Sequence, residues 1–233
     1  MDSFDSLLGQ LRKITEQGWI PTLRSGDTGI GFTGETLLNI KANSSTLPDY
    51  EGIELKFCRR RSLQKNVTLF SRVPEFIGMT RTEVLQQYGY DDENGRRNLY
   101  ISIYKNRNNQ GWYLSSNQNE KKLFVCRENR QVGYWDFNLI RTRFETKHKE
   151  TLFVLADTRG RAKQEEFHFN EIIHCKNSSF DKLLEGIENN IVFHDFVMHL
   201  KPNGVVRDHG FLFRTKQIYI PKLFSESVYK LLT

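Results

Sequence analysis

"LPDYEGIELKFCRRR", residues 47–61, places a Pro-Asp pair, a Glu-x-Lys pair and three consecutive arginines within fifteen positions. Ile53, Leu55 and Phe57 alternate with Glu54 and Lys56, the period-two pattern of a half-buried strand. Side chains two apart on a strand share a face at roughly 3.3 Å rise per residue, so Glu54 and Lys56 point the same way about 6.6 Å apart. Pro48 biases Leu47 towards extended backbone, and Asp49 falls where the chain enters that strand or its hairpin partner. Two carboxylates so placed can hold one hard cation such as Mg²⁺, and Lys56 can contact a phosphate or orient an attacking water. Phosphodiester hydrolysis needs those parts: a positioned nucleophile, and positive charge facing the charge that builds on the phosphoryl oxygens. The plain alternative is an amphipathic strand with an acid and a lysine on its wet face and a solvated basic flank. Three neighbours favour the site: the Pro-Asp lead-in, the Arg59-Arg60-Arg61 run, and Glu35 on a short preceding helix, within reach of the same cation.

At 233 residues the chain can bury a full core, as one domain or as two lobes sharing a hinge, without disulfide or structural metal. Lys plus Arg number 34 against 28 Asp plus Glu, a net charge of +6 that suits a polyanionic partner. Cys58, Cys126 and Cys175 are odd in number, far apart and without C-x-x-C, which indicates neither a disulfide framework nor a zinc ribbon and fits a reducing cytoplasm. The opening "MDSFDSLLGQLRK" lacks a basic n-region followed by an apolar run, and no stretch approaches the roughly 18 apolar residues of a membrane span. The expectation is a soluble intracellular protein with no membrane partner. Six histidines without H-E-x-x-H argue against a transition-metal enzyme, and the lack of G-x-S-x-G argues against a serine nucleophile.

Along the chain, Phe4, Leu7, Leu8, Leu11 and Ile14 recur at helical spacing until Gly18, giving an amphipathic opening helix. "RSGDTGIGFTG" reads as a glycine-rich loop, and "GETLLNIK" as a short helix ending in the turn-forming "ANSST". Its "GIGFTG", Gly29–Gly34, matches G-x-G-x-x-G but lacks the preceding apolar strand and the long following helix, so a tight loop is expected there rather than a dinucleotide site. Strands are expected at "VTLF", at "NLYISIYK" and "GWYLSS" as a hairpin around "NRNNQ", and at "KLFVCRE" and "VGYWDFN", with a helix at Thr80–Tyr88. "TLFVLA", residues 151–156, is an unbroken apolar run of the kind covered on both faces. "EEFHFNEIIH", a helix "SFDKLLEGIENN", and strands near "IVFHDFVMHL" and "VVRDHGFLFR" complete an α/β chain folded as two lobes. The last of these clusters Arg207, Asp208, His209 and Arg214 around Gly210. Arg can donate twice to guanine, Asp can accept from cytosine N4, and His can do either. A β-bulge with polar flanks is the equally weighted alternative.

"GWIPTLRSGDTGIGFTGETLL", "PDYEGIELK" with "VTLF" after it, "EEFHFNEI" and "DHGFLFR" stand in an order and spacing that resembles the MvaI/BcnI family of type II restriction endonucleases. These are relatives of the MutH mismatch-repair nickase within the PD-(D/E)xK nuclease superfamily. The resemblance runs from Gly18 to Arg214 and is nearest to MvaI in the glycine-rich stretch and the "DHG…FR" block. It implies a PD-(D/E)xK restriction-endonuclease-like α+β core, a mixed β-sheet flanked by helices. Residues 1–233 would form one endonuclease domain, with a mainly N-terminal catalytic lobe and a mainly C-terminal recognition lobe around a DNA cleft. The implied activity is Mg²⁺-dependent cleavage of double-stranded DNA at a short CC-N-GG-type site, leaning to the A·T-centred CCWGG. A monomer would nick one strand and then re-engage to cut the other. On this sequence Asp49, Glu54 and Leu55 would hold the metal, Lys56 would be the catalytic lysine, and Glu35 the helix acid beside them. Asp208, His209 and Arg214, with Arg207, would read bases, and Arg59, Arg60 and Arg61 would bind DNA. A bacterial cytoplasmic enzyme with a matching DNA methyltransferase in the host is expected. A MutH-like nicking enzyme and a non-catalytic DNA-binding module are the alternatives.

Overall fold

A computed structural model describes residues 3–40, 47–60 and 64–232. In chain order the elements are α1 (Ser3–Thr15), β1 (Ile20–Pro21), α2 (Gly29–Leu37), β2 (Ile53–Arg59), β3 (Asn66–Ser71), β4 (Glu75–Phe76), α3 (Arg81–Tyr88) and β5 (Tyr90–Asp91). They continue with β6 (Arg97–Ile103), β7 (Trp112–Asn117), β8 (Lys122–Arg127), β9 (Arg130–Asp136), α4 (Phe137–Lys147), β10 (Glu150–Arg159) and β11 (Glu166–Ser178). Last come α5 (Phe180–Glu188), β12 (Val192–Leu200), β13 (Val206–Lys216) and β14 (Phe224–Leu231). The fold is mixed α and β, and the chain divides into two compact units.

The first unit comprises Met1–Lys65, Glu145–Ser179 and Ile220–Thr233. Its sheet runs β1-β11-β10-β2, with β14 also pairing β11. β10 is antiparallel to β11 and parallel to β2, in a register that sets Thr151 beside Glu54 and Phe153 beside Lys56. Leu7, Leu11 and Ile14 of α1 and Ile30 of α2 pack with Ile53, Leu55, Phe57, Leu152 and Val154 into one apolar cluster. Because strand side chains alternate, Glu54 and Lys56 are turned to the other face of the sheet. Residues 151–156 are buried on both faces, as the apolar run predicts. β14, which the sequence reading passes over, extends the sheet along β11.

The glycine-rich stretch differs from its expectation. Gly29–Gly34 are not a loop but the first turns of α2. A Cβ on Gly29 would lie 2.1 Å from the Arg24 carbonyl oxygen, and one on Gly34 would lie 2.3 Å from the Phe57 ring. These two glycines are there for close approach of a helix to its lead-in and to β2, which outweighs their low helix propensity.

The second unit comprises Asn66–Phe144 and Phe180–Tyr219. One sheet runs β3-β13-β12-β6-β5 and another β4-β9-β8-β7. His194 lies among the rings of Trp135, Phe196, Phe211 and Phe213, and burial pushes it down to about 3, so it stays neutral. α3 begins at a capping box, in which Thr80 and Glu83 satisfy each other's backbone N–H. The expected hairpin of β6 and β7 does not form as a pair. Asn108 N–H does reach the Trp112 carbonyl at 2.9 Å across a tight turn, but β6 then joins β12 and β7 joins β8. Each strand instead joins a sheet of four or more strands, and an isolated two-strand ribbon is marginally stable by comparison.

Candidate active site

Tyr50 and Ile53 exchange backbone hydrogen bonds of 3.0 and 2.7 Å, and Glu51 and Gly52 between them have φ of 42° and 96°. Two left-handed central residues are what a two-residue hairpin turn requires. The turn folds Asp49 back along β2, where its Oδ2 accepts the Leu55 N–H at 3.1 Å. Asp49 therefore lies on the hairpin partner of β2. The Leu55 N–H is turned away from β10, and in an extended residue the carbonyl points to the same side as the N–H. The Leu55 carbonyl opens on the edge that Asp49 occupies.

Glu54 is 0% exposed. Its Oε1 accepts from the Lys56 ammonium and lies 3.0 Å from Lys147 Nζ, while its Oε2 is buried without a hydrogen-bond partner. The plain alternative, an acid on a wet strand face, is incompatible with that burial. Lys56 keeps 25% of its side chain exposed. Burial raises the Asp49 carboxyl above its ordinary range, and the charge of Glu54 adds to the effect against the Leu55 N–H, Lys56 and Lys147. Glu35, on α2, is raised likewise, by burial first and then by Asp49 and Glu54, with Lys56 and Arg24 opposing. Three carboxylates, two ammoniums and the Arg24 guanidinium thus share one electrostatic neighbourhood.

Among the described residues, no three His, Cys, Asp or Glu side chains converge into a preformed metal cage. Mg²⁺ does not need one: it keeps several waters and binds through one or two carboxylates plus substrate phosphate. A buried carboxylate oxygen with no partner is costly and calls for an explanation. The Glu54 Oε2, the Asp49 carboxylate and the Leu55 carbonyl are all oxygen donors, so these residues fit a hard divalent cation.

The basic run is partly internal. Arg59 donates to both oxygens of Glu165 at 2.7 Å and to the carbonyls of Gly26 and Asp27. Arg60 pairs with Glu171 at 2.8 Å and donates to Asn170 at 2.6 Å. Arg61 lies outside the described residues. Burial pushes the Cys58 and Cys175 thiols up to about 12, so neither supplies a thiolate near neutral pH.

In the second unit, Met198 pairs with Asp208 and Val197 with Gly210, which leaves His209 as the extra residue of a β-bulge. Arg207 and His209 are exposed, and His209 Nε2 lies 3.2 Å from His199 Nδ1. Asp208 forms an ion pair with Arg81 of α3. Arg214 pairs with the buried Asp195 at 2.8 Å, which also accepts from Ser102 at 2.6 Å. The bulge separates the four residues: Arg207 and Arg214 register with the sheet face of Phe193, Asp195 and His199, whereas Asp208 registers with Met198 on the other.

The sequence profile of the MvaI/BcnI restriction endonuclease family matches residues 8–224. The chain belongs to that family. It is a restriction endonuclease, a site-specific enzyme acting on DNA. Its fold is similar to that of restriction endonuclease MvaI in complex with cognate DNA, with TM-score 0.84 and 23% identity over 100% of this chain and 99% of that one. It is also similar to MvaI in the absence of DNA, with TM-score 0.59 and 22% identity over 100% and 98% of the two chains. A search of curated proteins gives no match. Among the described residues of this endonuclease, no helix is long and apolar enough to cross a membrane.

Sequence reasoning overlooks Lys147 in the endonuclease, because it reads "VGYWDFN" as strand and assigns no helix after it. A signal exists: Phe137, Ile140 and Phe144, all buried, are spaced three and four apart as on one helix face. Nothing local marks the lysine that ends that helix as a neighbour of Glu54.

Proposed function

We propose that this endonuclease hydrolyses phosphodiester bonds of duplex DNA in a Mg²⁺-dependent reaction at a short CC-N-GG-type site, as a type II enzyme acting as a monomer that nicks each strand in turn. The observation that carries the catalytic part is Glu54: a fully buried carboxylate that acts electrostatically on Asp49, with one oxygen held by ammoniums and the other unpartnered. Asp49, Glu54 and the Leu55 carbonyl are the metal ligands in this reading. Bound there, Mg²⁺ would neutralise developing phosphoryl charge and lower the pKa of a coordinated water.

The chain's own groups do the rest. Lys56, partly exposed at the end of a strand-anchored stem, leaves Glu54 to meet a phosphate oxygen or to hold the attacking water in line. Glu35, whose carboxyl is raised by burial and by Asp49 and Glu54, would accept a hydrogen bond from that water in this reading. The bulge supports base reading, since it leaves His209 out of the ladder and exposed, with the exposed Arg207 two residues away on the same strand. Asp208 and Arg214 take part by exchanging Arg81 and Asp195 for base edges. Arg59 and Arg60, already paired within the first unit, act in this reading chiefly by fixing β2.

Digestion of unmethylated plasmid by the wild type and by Asp49→Ala, with and without Mg²⁺, followed by run-off sequencing of the ends, tests the proposal. Discrete metal-dependent bands ending within a CC-N-GG sequence, absent with the variant, are expected. Equal cutting by both proteins would remove Asp49 from the site, and ends at unrelated sequences would remove the assigned specificity.

A further inference from the structure

Two lysines from distant parts of the chain meet on one oxygen of Glu54. Lys56 arrives from the same strand, and Lys147 from the last turn of α4, at 3.0 Å. A helix-terminal lysine ordinarily faces its own last carbonyls in water. Lys147 instead keeps only 15% of its side chain exposed and is directed at a carboxylate with no exposure at all. Removing a long side chain's freedom in this way has an entropic cost that a surface ion pair does not recover.

Charge balance bears on why one carboxylate has two cations. The carboxylates of Glu35, Asp49 and Glu54 are matched in formal charge by Lys56, Lys147 and the Arg24 that acts on Glu35. A divalent cation then leaves the site with a positive excess towards the single negative charge of a phosphodiester. Without Lys147 that excess would be halved. Lys56 would also be the sole ammonium on Glu54, tied to it by the full attraction of a buried carboxylate. Lys147 relieves that tie.

Resting on the metal-site reading above, we infer that Lys147 is a positioning residue for the cleavage reaction. Its ammonium holds Glu54 Oε1, which leaves Oε2 as the ligand oxygen and releases Lys56 to the phosphate. Lys147 does not touch the reacting atoms.

The test uses the full chain and separates metal affinity from chemistry. Mn²⁺ binding to DNA-free protein is measured by calorimetry, and single-turnover cleavage of a plasmid at saturating Mg²⁺, for the wild type, Lys147→Gln, Lys147→Met and Lys147→Arg. Loss of a neighbouring cation favours cation binding, so Lys147→Gln and Lys147→Met should bind Mn²⁺ as tightly as the wild type or tighter. They should cleave at least tenfold more slowly, and Lys147→Arg should recover most of the rate. A merely structural role predicts the opposite pattern, Mn²⁺ affinity and cleavage lost together, and that result overturns the inference. So does an unchanged cleavage rate in Lys147→Gln while Asp49→Ala and Lys56→Ala on the same plasmid are inactive. If Asp49→Ala and Lys56→Ala themselves cut at the wild-type rate, the metal-site reading has failed, and the inference with it.

Discussion

At Asp49, burial and the charge of Glu54 favour the protonated carboxyl over the opposing Leu55 N–H, Lys56 and Lys147. Its folded-state pKa is therefore above the ordinary value of 3.8. Between the unfolded and the folded pKa the native state binds more protons than the unfolded one, so stability falls as pH rises through that window and stays reduced above it. The ionised site destabilises the metal-free fold at neutral pH. Asp49→Asn keeps an oxygen for the Leu55 N–H and removes the charge. It should raise the metal-free thermal midpoint at pH 7 by about 2 °C, with the gain vanishing at a pH below the ordinary carboxylate range. Scanning calorimetry at the two pH values checks this, and a lower midpoint for the variant at pH 7 would show the hydrogen bond, not the charge, to dominate. Glu54 and Lys56 were legible in sequence because a strand's period of two puts their relation into nearby letters, and Asp49 because the Pro-Asp lead-in puts it beside the start of that strand. The burial of Glu54 was not, since it depends on what covers the opposite face of the sheet, and Lys147 was not, since its partner lies on another element.

Among elements, α2 shows why a correct string can carry a wrong reading. "GIGFTG" was legible as a place where backbone comes close to something, and that something is the Phe57 ring under Gly34, not a phosphate. Gly34→Ala raises helix propensity yet drives a methyl into an aromatic ring, and overpacking of this kind costs about 1–3 kcal/mol. Urea unfolding should show that loss, and Phe57→Leu in the same chain should restore most of it; a stabilised Gly34→Ala would mean α2 has room to move from β2. In the other sheet, Arg214 was legible as a candidate base-reading residue from its neighbours in sequence, but its ion-pair partner across the strands, Asp195, only 6% exposed, was not. Arg214→Met leaves that carboxylate with Ser102 alone and should cost about 3 kcal/mol, the low end for breaking a buried pair because Arg214 retains 26% exposure. Adding Asp195→Asn should recover most of the stability. Cleavage of cognate and single-mismatch sites by that double variant then reports what Arg214 does for DNA apart from the fold. No stability loss in Arg214→Met would dismiss the pairing.

For the molecule as a whole, one unit gathers three stretches of chain and the other two, so the chain alternates between them. The helix and strand patterns foretold an α/β chain, but not this interleaving. The pairing of β14 with β11 joins the last stretch to a strand far earlier in sequence, and no local periodicity encodes such a partner. Each chain carries one Asp49-Glu54-Lys56 set. A monomer with one such set cuts one strand per engagement, so a supercoiled plasmid with a single site should pass through open circles before linear product appears. Open-circle formation should be first order in enzyme, and the second cut should slow as salt rises, because re-engagement depends on Lys and Arg contacts that release counterions from phosphate. The second step can then be held back by added salt and its intermediate isolated. Linear product that forms without open circles, at a rate rising with the square of enzyme concentration, would instead require two chains acting together. Open circles that never become linear, on a plasmid fully unmethylated, would place the endonuclease with enzymes that nick.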